Sequence, residues 1–140
     1  MSDSSRRLVV HTDGAARGNP GPAGAGAVVT DADGKLVGEA FRFLGHATNN
    51  VAEYSALILG LERAAEIGGD TLEVRADSEL LVRQMRGEYR IKNEALRELA
   101  SKARVLARAF ERVDYVHVRR ELNRDADRLA NKAIDESESI

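Results

Sequence analysis

The spacing of hydrophobic residues changes near residue 50, and this change limits the chain to a small set of folds. Before it, residues 8–12, 27–30 and 35–44 are β-rich runs separated by glycine-containing turns. After it, four segments have helical spacing, and two short strand-like segments lie between them. The order βββαβααβα favours an antiparallel meander extended by parallel crossover strands. We therefore predict an α/β fold in which helices pack against one mixed sheet.

Residues that favour turns and caps bound most of these elements. Thr48 or Asn49 is suited to cap the first long helix, and Gly68-Gly69 ends its periodic pattern. Residues 18–26 are too rich in glycine and proline for a regular element, so the sequence predicts a loop there. The remaining predicted elements are strands at 71–76 and 113–118 and helices at 79–85, 93–110 and 124–136.

Length and composition indicate one globular domain. The chain has 140 residues, of which 43% are hydrophobic and 31% charged. It has no cysteine, which excludes a disulfide scaffold, a thiolate zinc site and a cysteine nucleophile. No apolar run approaches the roughly 18 residues that span a membrane. We expect a cytoplasmic monomer without membrane association, with a domain at residues 7–136 between a polar leader (1–6) and a tail (137–140).

Charge is unevenly distributed along the chain. The net charge of −2 does not by itself indicate nucleic-acid binding. Residues 31–77 carry four basic and nine acidic side chains, whereas residues 78–108 carry eight basic and four acidic ones. This pattern favours separate acidic and basic faces, although a charged helix is also explained as a helix exposed to solvent.

Four acidic residues fall where a predicted strand ends or a predicted helix lies: Asp13, Glu53, Asp77 and Asp127. Each one alone is explained as a turn or helix-terminus residue. If their strands are parallel neighbours, however, Asp13 and Asp77 point to one place, because ligand sites form at the carboxyl ends of such strands. No Lys or Arg adjoins the first three. Such a cluster requires a cation, and hard oxygen ligands select Mg²⁺ or Mn²⁺.

Polar residues near this predicted cluster are suited to substrate binding. Thr48, Asn49 and Asn50 lie at a helix N-terminus and offer amide, hydroxyl and backbone N–H donors for a phosphate. Helix capping explains the same residues. The glycine-rich segment at 18–26 allows backbone to approach a ligand, with the amide of Asn19 beside Asp13.

Several sequence blocks occur together and in order between residues 7 and 136. They are Asp13-Gly14, Gly18-Asn19-Pro20-Gly21-Pro22, Thr48-Asn49-Asn50-Val51-Ala52-Glu53, Ala76-Asp77-Ser78, Asn123 and Ala126-Asp127-Arg128-Leu129-Ala130-Asn131. Together they closely resemble the motifs of ribonuclease H, type 1. The resemblance implies a ribonuclease H-like fold, with a five-stranded mixed sheet of order 3-2-1-4-5 flanked by helices. It also implies hydrolysis of the RNA strand of RNA·DNA hybrids.

The resemblance implies roles for the carboxylates and for the polar residues near them. It implies that the catalytic, metal-binding residues are Asp13, Glu53, Asp77 and Asp127. It implies that Asn19, Asn49 and Asn50 contact substrate, and we add Thr48 and Asn123 to that set. Two Mg²⁺ ions roughly 4 Å apart, with Mn²⁺ as a substitute, would activate a water and stabilise the leaving 3′ oxygen. The expected products carry 5′-phosphate and 3′-hydroxyl ends.

The chain departs from the family pattern in two respects. We expect a small form of the family without a basic protrusion or a hybrid-binding domain. Residues 86–93 pass directly into the next predicted helix, and Arg86, Arg90 and Lys92 are the expected remnant of the protrusion's grip on substrate. It also lacks the loop histidine that commonly precedes the last aspartate. We expect Arg119 or Arg120 to act electrostatically on the substrate in its place. His117 falls in a predicted strand, where a structural role is expected.

Two other function classes remain open from the sequence. A hybrid-binding module that has lost catalysis would conflict with the presence of all four carboxylates. A DNA nuclease or integrase-like enzyme on the same general fold is the second alternative, because fold alone does not decide function. The blocks around Asn19 and Asn49 favour the ribonuclease.

Overall fold

The structure, a computed structural model, describes residues 6–138. Five strands and four α-helices lie in this range, in the predicted order. They are β1 (Arg7–Ala16), β2 (Gly21–Asp31), β3 (Leu36–Ala47), α1 (Asn49–Ile67), β4 (Thr71–Ala76), α2 (Glu79–Met85), α3 (Glu94–Ala107), β5 (Arg112–His117) and α4 (Arg124–Glu138), with a short 3₁₀ helix (Arg120–Leu122) before α4. The predicted leader and tail lie outside the described residues except for Arg6, Ser137 and Glu138. The last two belong to α4, which runs past its predicted end at residue 136.

The strands form one mixed sheet in the order β3-β2-β1-β4-β5. β2 is antiparallel to both β1 and β3, whereas β4 is parallel to β1 and β5. The predicted five-stranded mixed sheet is therefore confirmed, including its strand order. Parallel pairing between β1 and β4 ends at Thr12 and Ala76. Asp13 and Asp77 are the next residue of each chain segment, so they lie where the two strands separate.

Two sequence predictions about the first hairpin are wrong. β1 does not end at residue 12 but continues through Asp13 to Ala16, and β2 begins at Gly21, inside the predicted loop. The reason is close packing: a Cβ atom on Gly24 or Gly26 would lie 2.3 or 2.4 Å from a carbonyl oxygen of α4. Glycine here lets a helix approach the strand rather than breaking the strand. β3 also continues to Ala47, three residues beyond its predicted end.

The two faces of the sheet are covered by different helices. A Cβ atom on Gly60 of α1 would contact Ala27, whereas Gly26 lies against α4, and successive residues of a strand point to opposite faces. On the α1 face, which α3 extends, large buried side chains such as Tyr54, Leu57 and Leu61 form the main core. No helix within residues 6–138 combines the length and the hydropathy needed to cross a membrane.

Candidate active site

Three carboxylates converge where β1 and β4 separate. Asp13 and Asp77 follow the last parallel pair of these strands, and Glu53 is on the first turns of α1. Each of the three offers an oxygen atom, and these oxygens all lie within 4.8 Å of one another. The convergence predicted for Asp13 and Asp77 is thus present, and Glu53 joins it from the other side of the sheet.

Glu53 is fixed by the backbone of β1. Its Oε1 accepts a hydrogen bond of 2.8 Å from the Gly14 N–H. A Cβ atom on Gly14 would lie 2.1 Å from the carbonyl carbon of Ala52. Only a glycine at this position allows the start of α1 to approach the strand closely enough for that hydrogen bond.

Asp127 approaches the cluster from α4. Its carboxyl group interacts with that of Asp13, which is 4% exposed. The Asn131 side chain, one turn further along α4, lies with its Nδ2 3.0 Å from the Asp127 carbonyl oxygen and 3.4 Å from Oδ1. Asp127 is therefore adjacent to the three converging carboxylates and held by its own helix.

Burial and mutual repulsion disfavour the ionised forms of the clustered carboxylates. Burial, followed by repulsion from Glu53, raises the pKa of Asp13 to about 10. Burial also raises the pKa of Glu53 to about 8, although the Gly14 N–H opposes this rise. A bound divalent cation would favour the ionised carboxylates, and an all-oxygen ligand set suits Mg²⁺ or Mn²⁺. The residues present therefore fit the metal that the sequence predicted.

The four carboxylates line one side of an open cavity of about 520 Å³. Its other polar side chains are Arg17, Asn49, Arg120 and Asn131. Two guanidinium groups and two amides thus line the same solvent-open cavity as the carboxylates. Such a cavity offers both cation ligands and groups that bind phosphate oxygens.

The predicted phosphate-binding residues lie beside this cavity. Thr48 caps α1, as predicted, with its hydroxyl oxygen 3.2 Å from the Val51 nitrogen. Asn49 Oδ1 accepts from the Ala16 N–H at 3.1 Å, and the Asn49 N–H donates to Asn19 Oδ1 at 3.0 Å. Asn19 is therefore a support for Asn49 and does not itself line the cavity. Asn50 is exposed in the first turn of α1.

Of the remaining predicted residues, which lie at the end of β5 and before α4, Arg120 alone is among those that line the cavity. Arg120 lines the cavity, whereas Arg119 immediately precedes the 3₁₀ helix and does not. Asn123 is buried, and its Nδ2 donates to the Thr12 carbonyl at 2.9 Å. His117 does end β5, but its side chain is exposed, which removes the basis for the expected structural role.

Two cavity residues were missed by the sequence reasoning. Asn131 lies four residues after Asp127 in α4, so both side chains are on one face of the helix. This spacing was visible in the sequence and could have identified Asn131. Arg17 gave no such signal, because it lies in the connection between β1 and β2. Its guanidinium is held by α4 through Asp135 at 2.7 Å and Glu138 at 3.4 Å.

Known proteins resemble this chain over most of its length. A family model described as reverse transcriptase-like matches residues 11–133. Ribonuclease HI of Halobacterium salinarum is 44% identical over 135 residues, covering 96% of this chain and 68% of that protein. The bifunctional protein Rv2228c of Mycobacterium tuberculosis is 48% identical over 130 residues. These cover 92% of this chain and 36% of that protein, so the chain spans about a third of this relative.

Solved structures agree with the sequence similarities. RNase H1 from Halobacterium salinarum superposes with a TM-score of 0.91 at 45% identity, covering 93% of this chain and 98% of that one. The N-terminal RNase H domain of Rv2228c gives 0.93 at 46% identity, with 96% and 98% coverage. LC11-RNase H1 in complex with an RNA/DNA hybrid gives 0.88 at 45% identity, with 93% and 98% coverage. From its matched family model, its relatives and its sheet topology, the chain belongs to the ribonuclease HI family.

Proposed function

We propose that this chain hydrolyses the RNA strand of RNA·DNA hybrids in a reaction that depends on divalent cations. The observation that carries this proposal is the convergence of three carboxylate oxygens within 4.8 Å at the separation of two parallel strands. Relatives named ribonuclease HI, and similarity to an RNase H1 bound to an RNA/DNA hybrid, support the substrate class.

Asp13, Glu53 and Asp77, with Asp127 beside them, would hold two divalent cations. Mg²⁺ is the proposed cofactor, and Mn²⁺ is a substitute that accepts the same oxygen ligands. When bound, the cations supply the positive charge that lowers the pKa of an attacking water and stabilises the leaving 3′ oxygen. The products would carry 5′-phosphate and 3′-hydroxyl ends.

The protein groups around the carboxylates position the substrate. At the N-terminus of α1, which Thr48 caps, the side-chain amide of Asn49 lines the cavity and would donate to a backbone phosphate. Arg120 and Arg17, which also line the cavity, would bind phosphate oxygens, because guanidinium donors match their geometry. The Gly14 N–H keeps Glu53 aimed into the cavity and prevents it from rotating toward solvent.

The RNA 2′-hydroxyl would provide the distinction between the two strands of the hybrid. We expect weak binding of the DNA strand. The basic residues proposed to contact it are only three, Arg86, Arg90 and Lys92, and they are exposed in the short connection between α2 and α3. The monomeric state and cytoplasmic location expected from the sequence stay predictions.

The test is cleavage of an end-labelled RNA·DNA hybrid with Mg²⁺, with Asp77→Asn as the inactive control. We expect RNA fragments whose ends accept ligation as 5′-phosphate and 3′-hydroxyl, and no cleavage of duplex DNA. Comparable cleavage of duplex DNA would instead favour the integrase-like alternative. Hybrid binding without cleavage in either metal would favour a binding module.

A further inference from the structure

Asn123 connects the backbone on both sides of the carboxylate cluster. It lies between the 3₁₀ helix and α4 and is 1% exposed. Its side-chain Nδ2 donates to the Thr12 carbonyl at 2.9 Å. Its own carbonyl accepts the first helical hydrogen bond of α4, from the Asp127 N–H at 3.1 Å, so the side-chain bond to Thr12 is the contact that distinguishes it from the other residues that precede helices. One buried residue thus contacts the peptide unit before Asp13 and the peptide unit of Asp127.

These contacts bear on the distance between two carboxylates. Asp13 pairs in register with Gly26, which lies against α4, so the Asp13 side chain shares the face of the sheet that α4 covers. Asp127 is in the first turn of that helix. A hydrogen bond that fixes the start of α4 on β1 therefore also fixes Asp127 relative to Asp13.

The other α-helices show that Asn123 does not act as an ordinary cap. At the starts of α1, α2 and α3, the side chain of Thr48, Ser78 or Asn93 accepts a hydrogen bond from the backbone N–H three residues later. Asn123 holds the same position before α4, yet its Oδ1 is buried and has no hydrogen-bond partner among residues 6–138. The amide is directed to the strand instead, and the helix start is left without side-chain capping.

A buried oxygen without a hydrogen bond lowers the free energy of unfolding. Capping α4 with this oxygen would avoid that loss, so helix stability does not explain the orientation of the Asn123 amide. We propose that Asn123 is a positioning residue, whose hydrogen bond to Thr12 sets the spacing of Asp13 and Asp127 and thereby the site for divalent cations. This inference rests on the proposed function. It replaces the substrate contact expected for Asn123, because the side chain is enclosed by protein.

The test compares Asn123→Leu and Asn123→Ala with Asn93→Ala. Leucine keeps the branched heavy-atom arrangement of the side chain and lacks the amide donor, alanine removes the group without adding bulk, and neither variant changes the charge. Asn93 is the matched control, since it also precedes a helix and accepts a hydrogen bond at 3.0 Å from Leu96 N–H, but it lies outside the cavity. Mn²⁺ and Mg²⁺ binding is measured by titration calorimetry without substrate, and hybrid cleavage gives kcat and KM.

We expect cation binding and kcat of the Asn123 variants to fall about 10- to 100-fold, the usual effect of removing a group that orients a metal ligand. KM for the hybrid should stay within about twofold, because Asn123 does not touch substrate. Asn93→Ala should lower the melting temperature while leaving cation affinity unchanged.

Three results would overturn the proposal. Unchanged cation affinity and kcat in folded Asn123 variants would indicate a purely structural residue. A raised KM with unchanged cation affinity would indicate a substrate contact. Loss of cooperative unfolding in both variants would indicate a folding residue. If the wild-type protein cleaves no hybrid, the proposed function fails, but calorimetry still decides the role of Asn123.

Discussion

Helices α1 and α4 bring carboxylates to one cluster from opposite faces of the sheet, but they are held in different ways. α1 is closed at both ends, by the Thr48 cap and by Gly68 in the left-handed conformation (φ 96°), and large side chains fill its buried face. α4 packs three alanines, together with Leu129 and Ile134, closely against Gly24 and Gly26. Within residues 6–138, the side chain of Asn123 does not cap the start of α4.

This difference suggests that α1 mainly determines the stability of the fold, whereas α4 mainly determines the geometry of the cation site. Glu53 on α1 is fixed by a backbone N–H and by the main core, so its position is a consequence of folding. Asp127 on α4 depends on two side-chain amides, those of Asn123 and Asn131. Changes on the α1 side should therefore affect folding first, whereas changes on the α4 side should affect cation binding first.

The largest expected effect concerns the carboxylates themselves. Asp13→Asn or Asp77→Asn should reduce hybrid cleavage to background while leaving the fold intact, because an amide keeps the shape but lacks the charge that holds a divalent cation. Asp127→Asn should retain measurable activity, since the three converging oxygens do not include Asp127. The measurement is the initial rate at saturating hybrid and Mg²⁺.

Far-ultraviolet circular dichroism serves as the folding control for these three variants. Wild-type rates for Asp13→Asn or Asp77→Asn would show that the cluster is not the catalytic centre. Equal and complete loss for Asp127→Asn would place that residue in the centre of the cluster and remove the contrast between α1 and α4.

The next prediction compares two glycines at which a helix packs against the sheet: Gly26 of β2, which lies against α4, and Gly60 of α1, which lies against β1. A Cβ atom on Gly26 would lie 2.4 Å from the Ala126 carbonyl oxygen, so Gly26→Ala must displace the α4 backbone. We expect a loss of about 1–3 kcal/mol, as for other overpacked cores, together with weaker cation binding. Gly60→Ala meets side-chain methyl groups at 2.8 Å and gains about 1 kcal/mol of helix propensity, so its loss should be smaller.

Urea unfolding and calorimetric Mn²⁺ titration measure the two properties of these glycine variants separately. If Gly60→Ala weakens cation binding more than Gly26→Ala does, then α1, and not α4, mainly determines the geometry of the cation site, and the proposed difference between the two helices is wrong.

A smaller effect should appear in the pH dependence of metal-free stability. The pKa of Asp13 is raised from an ordinary value of 3.8 to about 10, so its contribution to stability is fully present below about pH 4 and is lost as the pH rises toward 10. Asp13→Asn removes this loss. Without metal, the variant should therefore melt several degrees above the wild type at alkaline pH, at about 4 °C per kcal/mol, and near it at acidic pH.

Melting curves in a chelator at acidic and alkaline pH test this expectation. With Mg²⁺ the order of the two proteins should reverse, because only the wild type gains stability from cation binding. A variant that is less stable than the wild type at alkaline pH without metal would contradict the repulsive cluster.

The sequence predicted the framework of this site better than its closely packed parts. Helical and alternating periods identified every strand and α-helix after Asn50 but not the 3₁₀ helix Arg120–Leu122, which has no buried residue and so leaves no hydrophobic pattern. The strand through Gly24 and Gly26 was predicted as a loop, since its close contacts are between backbone atoms and leave no side-chain pattern. Arg17 was missed for a related reason: its partners on α4 are more than a hundred residues away in the chain.

The smallest expected effect tests the segment before α4, where the family's usual loop histidine is absent. Arg120 lines the cavity and Arg119 does not, so Arg120→Ala should lower turnover modestly and Arg119→Ala less. A guanidinium binds phosphate oxygens but does not exchange a proton near neutral pH, so the Arg120 effect should be independent of pH over that range. His117→Ala should change turnover and stability little, because the side chain is exposed at the end of β5. Turnover of the three variants at saturating hybrid and Mg²⁺, measured across neutral pH, decides among them. A large loss for folded His117→Ala, with both arginine variants near wild type, would mean that the histidine at the end of β5, and not a group just before α4, acts on the substrate.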